Sequence, residues 1–272
     1  MWPAEFFRTI EINATELCNM SCVFCPRAFD YPNQNLHMSL DIVDMIIEQL
    51  DELPHITKIA FAGRGEPTLH KDFGEMAQRF IDYRDGGRYN LKLQVATNGN
   101  RVDKYEKQLR QFNDVRISVY DESKLTVQET YDKYNSWGNL TLYDRRTITL
   151  DEAAPNTYHN RAGSVVHPIA KTEGVFHPKY GMICEKPLNV VYVSWNGDYN
   201  LCCNDWEDIQ VLGNIQTETI HQFVTSNENL HKYQKDLLAG RRDHNPCSTC
   251  NRPVHPRWID LFSSEVDKIK NK

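Results

Sequence analysis

The chain has 272 residues, 40% of them hydrophobic and 25% charged, with a formal net charge of −6. This suits one large α/β domain, alone or with a small appendage, and argues against wholesale disorder. An acidic balance does not suit a duplex-binding face, no apolar run reaches the roughly 18 residues of a membrane span, and Met1–Glu5 lacks the basic-then-apolar pattern of a signal peptide. A soluble, cytoplasmic protein without nucleic-acid or membrane partners is expected.

In chain order, Phe7–Asn13 reads as a first strand, and Cys18-Asn19-Met20-Ser21-Cys22-Val23-Phe24-Cys25 follows it directly. Ser39–Leu53 carries Leu40, Val43, Ile46, Ile47 and Leu50 at helical spacing, with Ser39 as its N-cap. Strand Ile56–Phe61 runs into Ala62-Gly63-Arg64-Gly65-Glu66-Pro67, and a helix is expected over Asp72–Tyr83. Strand Leu91–Ala96 ends at Thr97-Asn98-Gly99, followed by a helix near Val102–Phe112. Strand Val115–Val119 contains Ser118; a helix over Lys124–Trp137, a strand Leu140–Tyr143 and a continuation Thr147–Leu150 come next. Alternating strands and helices predict a parallel sheet with helices outside it, and ligands at the C-terminal strand ends. Taken singly, Gly63–Pro67 and Thr97-Asn98-Gly99 read as ordinary turns.

Residues 151–180 hold several prolines and glycines without a helical period and read as a long loop. Within it lies Asn160-Arg161-Ala162-Gly163; Arg161 reads either as a surface residue or as a group that orients or ionises a substrate hydroxyl. His159, His167 and His177 read as ordinary loop residues. Beyond Cys184, Val190–Val193 reads as a strand and Asn196-Gly197 as a type I′ hairpin turn. The returning strand reaches Leu201-Cys202-Cys203-Asn204-Asp205, a single helix spans Thr219–Leu238, and Cys247-Ser248-Thr249-Cys250 follows. The tail after Trp258 is charged. These patterns divide the chain into 1–150, a connection 151–183, a C-terminal unit 184–255 and a tail 256–272.

The eight cysteines fall in two groups with none between residues 26 and 183. Disulfide frameworks belong to small exported domains, so metal ligation in a reducing compartment explains the grouping better. Cys18, Cys22 and Cys25 lack a nearby fourth cysteine, which suits a [4Fe–4S] cluster with one open iron better than structural zinc. Cys184, Cys202, Cys247 and Cys250 can close a site completely, and by ligand count zinc fits as well as an iron–sulfur cluster. Cys203 is left over, since neighbours on a strand face opposite ways. It reads as a buried small hydrophobe or as a spare thiol near the site.

The Cys18–Cys25 loop behind a first strand resembles the cysteine loop of radical S-adenosylmethionine (SAM) enzymes. The resemblance implies a partial (β/α)6 barrel, possibly trimmed, with SAM chelated at the open iron and cleaved to a 5′-deoxyadenosyl radical. It implies that Gly63, Gly65, Glu66 and Pro67 correspond to the segment contacting the SAM amino group, although Arg64 departs from the usual Gly-Gly-Glu-Pro. It implies that Thr97 and Asn98 end the third strand as in many members, that Ser118 contacts ribose, and that Phe24 packs near adenine. The second group, with Gly197-x4-Cys202, resembles the four-cysteine twitch form of the SPASM domain, typified by a sugar-alcohol dehydrogenase of aminoglycoside biosynthesis. That form is a small hairpin-plus-helix domain holding one auxiliary [4Fe–4S] cluster.

A fully ligated auxiliary cluster suits electron transfer. The resemblance therefore implies dehydrogenation of a carbinol carbon in a carbohydrate or polyol, or epimerisation if Cys203 returns hydrogen. Peptide or protein modification is the alternative, and six residues before the first strand leave no room for a leader-binding domain in that stretch. A non-catalytic iron–sulfur or zinc module is a further alternative. A donor such as flavodoxin or ferredoxin is implied through the family.

Overall fold

Strand–helix alternation lays the first strands side by side in the expected order. The computed structural model describes residues 2–22, 24–120, 126–144, 160–165 and 184–250. Among them, strands β1 (Thr9–Ile12), β2 (Lys58–Phe61), β3 (Lys92–Thr97), β4 (Asp114–Val119), β5 (Leu140–Asp144), β6 (Val190–Val193), β7 (Asp198–Asn200) and β8 (Val211–Asn214) form one sheet. Its order is β5-β4-β3-β2-β1-β6-β7-β8, with β1 to β6 parallel and the last two antiparallel. This is the expected α/β architecture, with one addition. The strand at Val190, expected within the C-terminal hairpin, pairs in parallel with β1 and so supplies the sixth parallel strand.

Helices α1 (Leu40–Gln49), α2 (Phe73–Asp85), α3 (Glu106–Leu109) and α4 (Val127–Tyr134) cover one face. Residues in register on parallel strands share a face. Ile10, Ile59, Leu93, Val95, Val115 and Ile117 are fully buried beneath the helices. Phe61 packs there against Phe73, Phe80 and Phe112 with ring centroids 5.6–5.7 Å apart. The alternate positions include Glu11, Gln94, Arg116 and Thr141, so the opposite face is polar.

Ser39 caps α1 as expected, accepting from Ile42 N. The helix expected near Val102–Phe112 is a 3-10 turn, Val102–Tyr105, followed by the single turn of α3. The helix expected over Thr219–Leu238 is two: α6 (Ile220–Ser226) and α7 (Glu228–Leu238), after the short α5 (Lys186–Asn189). Asn227 sits extended between them and its side chain accepts from Leu230 N at 2.9 Å, capping the second helix and ending the first. The hairpin also differs from expectation. Gly197 N donates to Ser194 O at 2.9 Å, and Gly197 has φ +87° while Asn196 does not adopt positive φ. This is a three-residue loop with a left-handed glycine rather than a type I′ turn. Packing as well as the positive φ requires glycine here: a Cβ on Gly197 would meet Ile215 Cγ2 at 2.9 Å. Thr147–Leu150, His159, His167, His177 and the tail 256–272 lie outside the described residues.

Candidate active site

The loops behind β1, β2, β3 and β4 meet at the C-terminal edge of the sheet around a cavity of about 270 Å³. Cys18, Cys22 and Cys25 line it together with Phe24. Gly63, Gly65, Glu66, Thr97, Asn98 and Ser118 line it from the neighbouring loops, and Arg161 and Cys203 from the C-terminal half. Pro67 does not line it: this residue is buried as the first position of a 3-10 turn, where its missing N–H costs nothing.

The cysteine loop is pinned by Asn33, which accepts from Cys18 N and donates to Cys18 O, both at 2.9 Å. A turn from Cys25 N to Cys22 O at 2.8 Å brings the last two thiols round. Burial pushes the Cys18 and Cys25 thiols up; for Cys25 the Arg27 amide and the Arg161 and Arg27 charges pull the other way. Phe24 lies 5.5 Å from Tyr120, centroid to centroid.

Glu66 is only 4% exposed, and its carboxylate is heavily engaged by the protein itself. Oε1 accepts from Thr68 N at 3.0 Å, Thr68 Oγ1 at 2.6 Å and Thr97 Oγ1 at 2.7 Å; Oε2 accepts from Asn98 N at 2.7 Å. Burial raises its pKa, and these donors oppose the rise. Asn98 Nδ2 continues the chain of bonds to Asn19 Oδ1 at 2.7 Å. Glu66 thus ties the loops behind β2 and β3 to the cysteine loop.

The two glycines approach protein rather than open space. A Cβ on Gly65 would stand 2.0 Å from Thr15 O, and one on Gly63, at φ +129°, would stand 2.6 Å from Asn13 Oδ1. Their first requirement is packing of the β2 loop against the chain that leads into Cys18.

Arg161, Ala162 and Gly163 all have positive φ. Arg161 Nη1 donates to Asn204 Oδ1 at 3.3 Å. Thr249 Oγ1 donates to Ala162 O at 2.8 Å, and Asn160 Nδ2 donates to Thr249 O at 2.6 Å, so this stretch joins the cavity to the Cys247–Cys250 turn. Behind it a second, smaller pocket is lined by Cys184, Cys202, Cys247 and Cys250. Burial pushes the Cys184 thiol up to about 11 and the Cys247 thiol up to about 12. Cys202 faces this pocket while Cys203 faces the main cavity, and a narrow crevice touches both. Among the described residues, no three Cys, His, Asp or Glu side chains stand at single-ion spacing. The donor chemistry fits iron–sulfur groups: three thiols on the main cavity and four on the smaller pocket.

Glu11, Arg64, Tyr120 and Trp206 also line the cavity, and the sequence reading did not single them out as site residues. Glu11 carried a usable signal: it is the polar position in the Ile10-Glu11-Ile12 alternation, which points it away from the helix-covered face. No helix is long and apolar enough to cross a membrane among the described residues.

Comparison with known proteins agrees with this geometry. Residues 12–156 match the Radical SAM superfamily, and residues 184–251 match SPASM, an iron–sulfur cluster-binding domain. The chain is 24% identical over 251 residues to an S-adenosyl-L-methionine-dependent 2-deoxy-scyllo-inosamine dehydrogenase of Niallia circulans, covering 91% of this chain and 94% of the relative. It is 32% identical over 91 residues to an S-adenosylmethionine-dependent nucleotide dehydratase of Selenomonas ruminantium, 34% of this chain and 30% of that one. A crystal structure of BtrN in complex with AdoMet and 2-DOIA shares the fold, with a TM-score of 0.72 at 22% identity over 90% of this chain and 93% of that one. The cofactors are accordingly a [4Fe–4S] cluster with SAM and an auxiliary iron–sulfur cluster. With more than half of its length matched, the chain belongs to the Radical SAM superfamily.

Proposed function

We propose that this enzyme dehydrogenates a carbinol carbon of a small cyclic polyol, an aminocyclitol in particular. The observation that carries the reading is the arrangement of thiols. Cys18, Cys22 and Cys25 open on a cavity that Cys203 also lines, and the adjacent Cys202 faces the four-cysteine pocket. When bound, the first cluster and SAM supply a radical that takes a hydrogen atom from carbon, and the second cluster supplies an electron acceptor. The chain's own residues do the rest. Arg161 presents a guanidinium to the substrate hydroxyl, and Glu11 presents a carboxylate to an ammonium group. Glu66, Thr97 and Asn98 hold the SAM side of the cavity in shape. The similarity of nearly the full chain to an aminocyclitol dehydrogenase supports the substrate class. The reducing compartment that free thiols and iron–sulfur chemistry require supports a cytoplasmic setting with a flavodoxin- or ferredoxin-like donor.

The test is anaerobic incubation of the reconstituted enzyme with dithionite, SAM and 2-deoxy-scyllo-inosamine. The expected products are 5′-deoxyadenosine and an amino ketone lighter than substrate by two hydrogens, in equal amounts. Formation of 5′-deoxyadenosine only at its substrate-free rate, across this compound and related cyclitols, would overturn the proposal. The position of Cys203 on the cavity wall favours a second reading, epimerisation. In that case product of unchanged mass gains one solvent deuterium in D2O, and Cys203→Ala loses the inverted product.

A further inference from the structure

Arg64 stands where the family pattern has glycine, and its guanidinium is engaged by the protein's own side chains. The side chain, 6% exposed, forms a bidentate pair with Asp208: Nη1 donates to Oδ2 at 2.8 Å and Nη2 to Oδ1. Nη1 also donates to Tyr31 Oη at 3.1 Å and lies 3.6 Å from Glu16 Oε1. Tyr31 Oη in turn donates to Glu16 Oε2 at 3.0 Å, and Arg27 Nη2 lies 3.5 Å from the same oxygen. Arg27 Nε donates to Arg64 O at 3.1 Å. The cysteine loop, through Arg27 and Tyr31, and the β2 loop, through Arg64, therefore share one charged network.

Asp208 belongs to the other half of the molecule. It follows Cys202 and Cys203 in a loop that also carries hydrogen bonds of its own. Asp205 accepts from Ile209 N at 3.0 Å and Gln210 N at 2.7 Å, and Asn200 Nδ2 donates to Asp208 Oδ1 at 2.7 Å. Asp208 itself is held at φ +51°. Between Asp208 and Cys203 lies Trp206, whose ring meets Tyr31 edge-on at 4.9 Å with the Arg27 guanidinium 5.9 Å from its centroid. Cys203 and Trp206 both form the cavity wall.

We propose that Arg64 is a positioning residue that latches the auxiliary-cluster half onto the SAM half. It fixes the Cys203–Trp206 wall of the cavity by gripping Asp208. A planar fork holding both oxygens of one carboxylate sets distance and orientation together, which a point charge on a flexible stem does not. Glycine at position 64 leaves the wall without this anchor. Arg27 and Arg64 balance Glu16 and Asp208, so loss of Asp208 leaves a buried guanidinium short of its counter-charge.

The test uses the reconstituted full-length protein and its Asp208→Ala, Asp208→Asn and Arg64→Lys variants, with Glu207→Ala, an exposed neighbouring acid, as control. Hydrogen exchange of amides in residues 202–210 is expected to quicken at least tenfold in the two Asp208 variants and in Arg64→Lys. Exchange in β1–β4 and in Glu207→Ala stays within twofold of wild type. The difference in emission between each protein and its Trp206→Phe partner, which isolates Trp206, shifts to longer wavelength as the indole becomes wetter. Asp208→Glu, which keeps a carboxylate for the fork, restores part of both signals. Unchanged exchange at 202–210 and unchanged Trp206 emission in Asp208→Ala would overturn the latch. Equal quickening in both halves would also overturn it, because it would show a general loss of stability instead of a released wall. Asp208→Asn, at a side chain 43% exposed, keeps the test usable if the alanine variant folds poorly.

Discussion

Gly65→Ala probes whether the loop behind β2 is set by backbone packing. An ideal Cβ at this position stands 2.0 Å from Thr15 O and 2.9 Å from Leu17 O. Carbon–oxygen contacts ordinarily rest at about 3.3 Å or more, so the two segments must part by about 1.3 Å. Neither can turn aside. Thr15 Oγ1 is bonded to Leu36 O at 2.7 Å, and Glu66 N donates to Leu17 O at 2.9 Å. Overpacking of a core side chain costs about 1–3 kcal/mol, and a clash between two tethered backbones belongs at the top of that range, about 3 kcal/mol. At roughly 2–4 °C per kcal/mol for a chain of this size, Tm falls by about 6–12 °C. Thermal and urea unfolding of the full-length chain measure this directly. Because Leu17 adjoins Cys18, iron content after anaerobic reconstitution should fall at the first site as well. Gly74→Ala, in the first turn of α2, is the control: its Cβ meets only the Tyr105 ring, at 3.4 Å, and should change stability little. Gly65→Ala within about 0.5 kcal/mol of wild type, the range of an ordinary surface change, would refute the reasoning.

Glu66→Gln must keep its amide oxygen toward Thr68 and Thr97, which turns its NH2 against Asn98 N–H. A stability loss of about 2–4 kcal/mol is expected in urea unfolding, with weaker SAM binding by equilibrium dialysis. His70 is fully buried between Met38 O and Asp72 N, and burial lowers its pKa to about 4. The unfolded chain takes up this proton first, so the contribution is complete above about pH 6.5 and is lost as pH falls toward about 4. It amounts to at most about 3 kcal/mol, and urea midpoints across that window should slope less in His70→Gln. Wild type should hold about eight irons and the Cys18/Cys22/Cys25 triple alanine about four, by iron and acid-labile sulfide assay. Cys203→Ala should keep all eight; loss of about four would reassign the ligand from Cys202 to Cys203.

Much of this molecule is legible in one dimension because its signals are local. Period-two and period-3.6 apolar patterns mark β1 to β5, α1 and α2, and Ser39 caps where a serine before a helical run should. The spacing of Cys18, Cys22 and Cys25 specifies its chemistry because one short loop supplies all three thiols. Where the local rules compete, the chain alone misleads. Asn227 looks like one polar residue in a long helix until its side chain is seen to cap Leu230 N. Asn196-Gly197 fits a type I′ turn until Gly197 N is seen to close on Ser194 O with only the glycine at positive φ.

The remaining features depend on residues distant in sequence. Parallel pairing of Val190–Val193 with β1 joins strands about 180 residues apart, and no local pattern encodes that register. The glycines of the β2 loop are explained by Thr15 and Asn13, and Glu66 by Thr97 and Asn98. Arg64 reads as a departure from a motif until Asp208, 144 residues away, closes on its guanidinium. The sequence by itself determined the strand–helix plan, the two thiol sets and the family to which they belong. Tertiary structure alone decided which partners satisfy each buried polar group, because those bonds close only after the chain has folded back on itself.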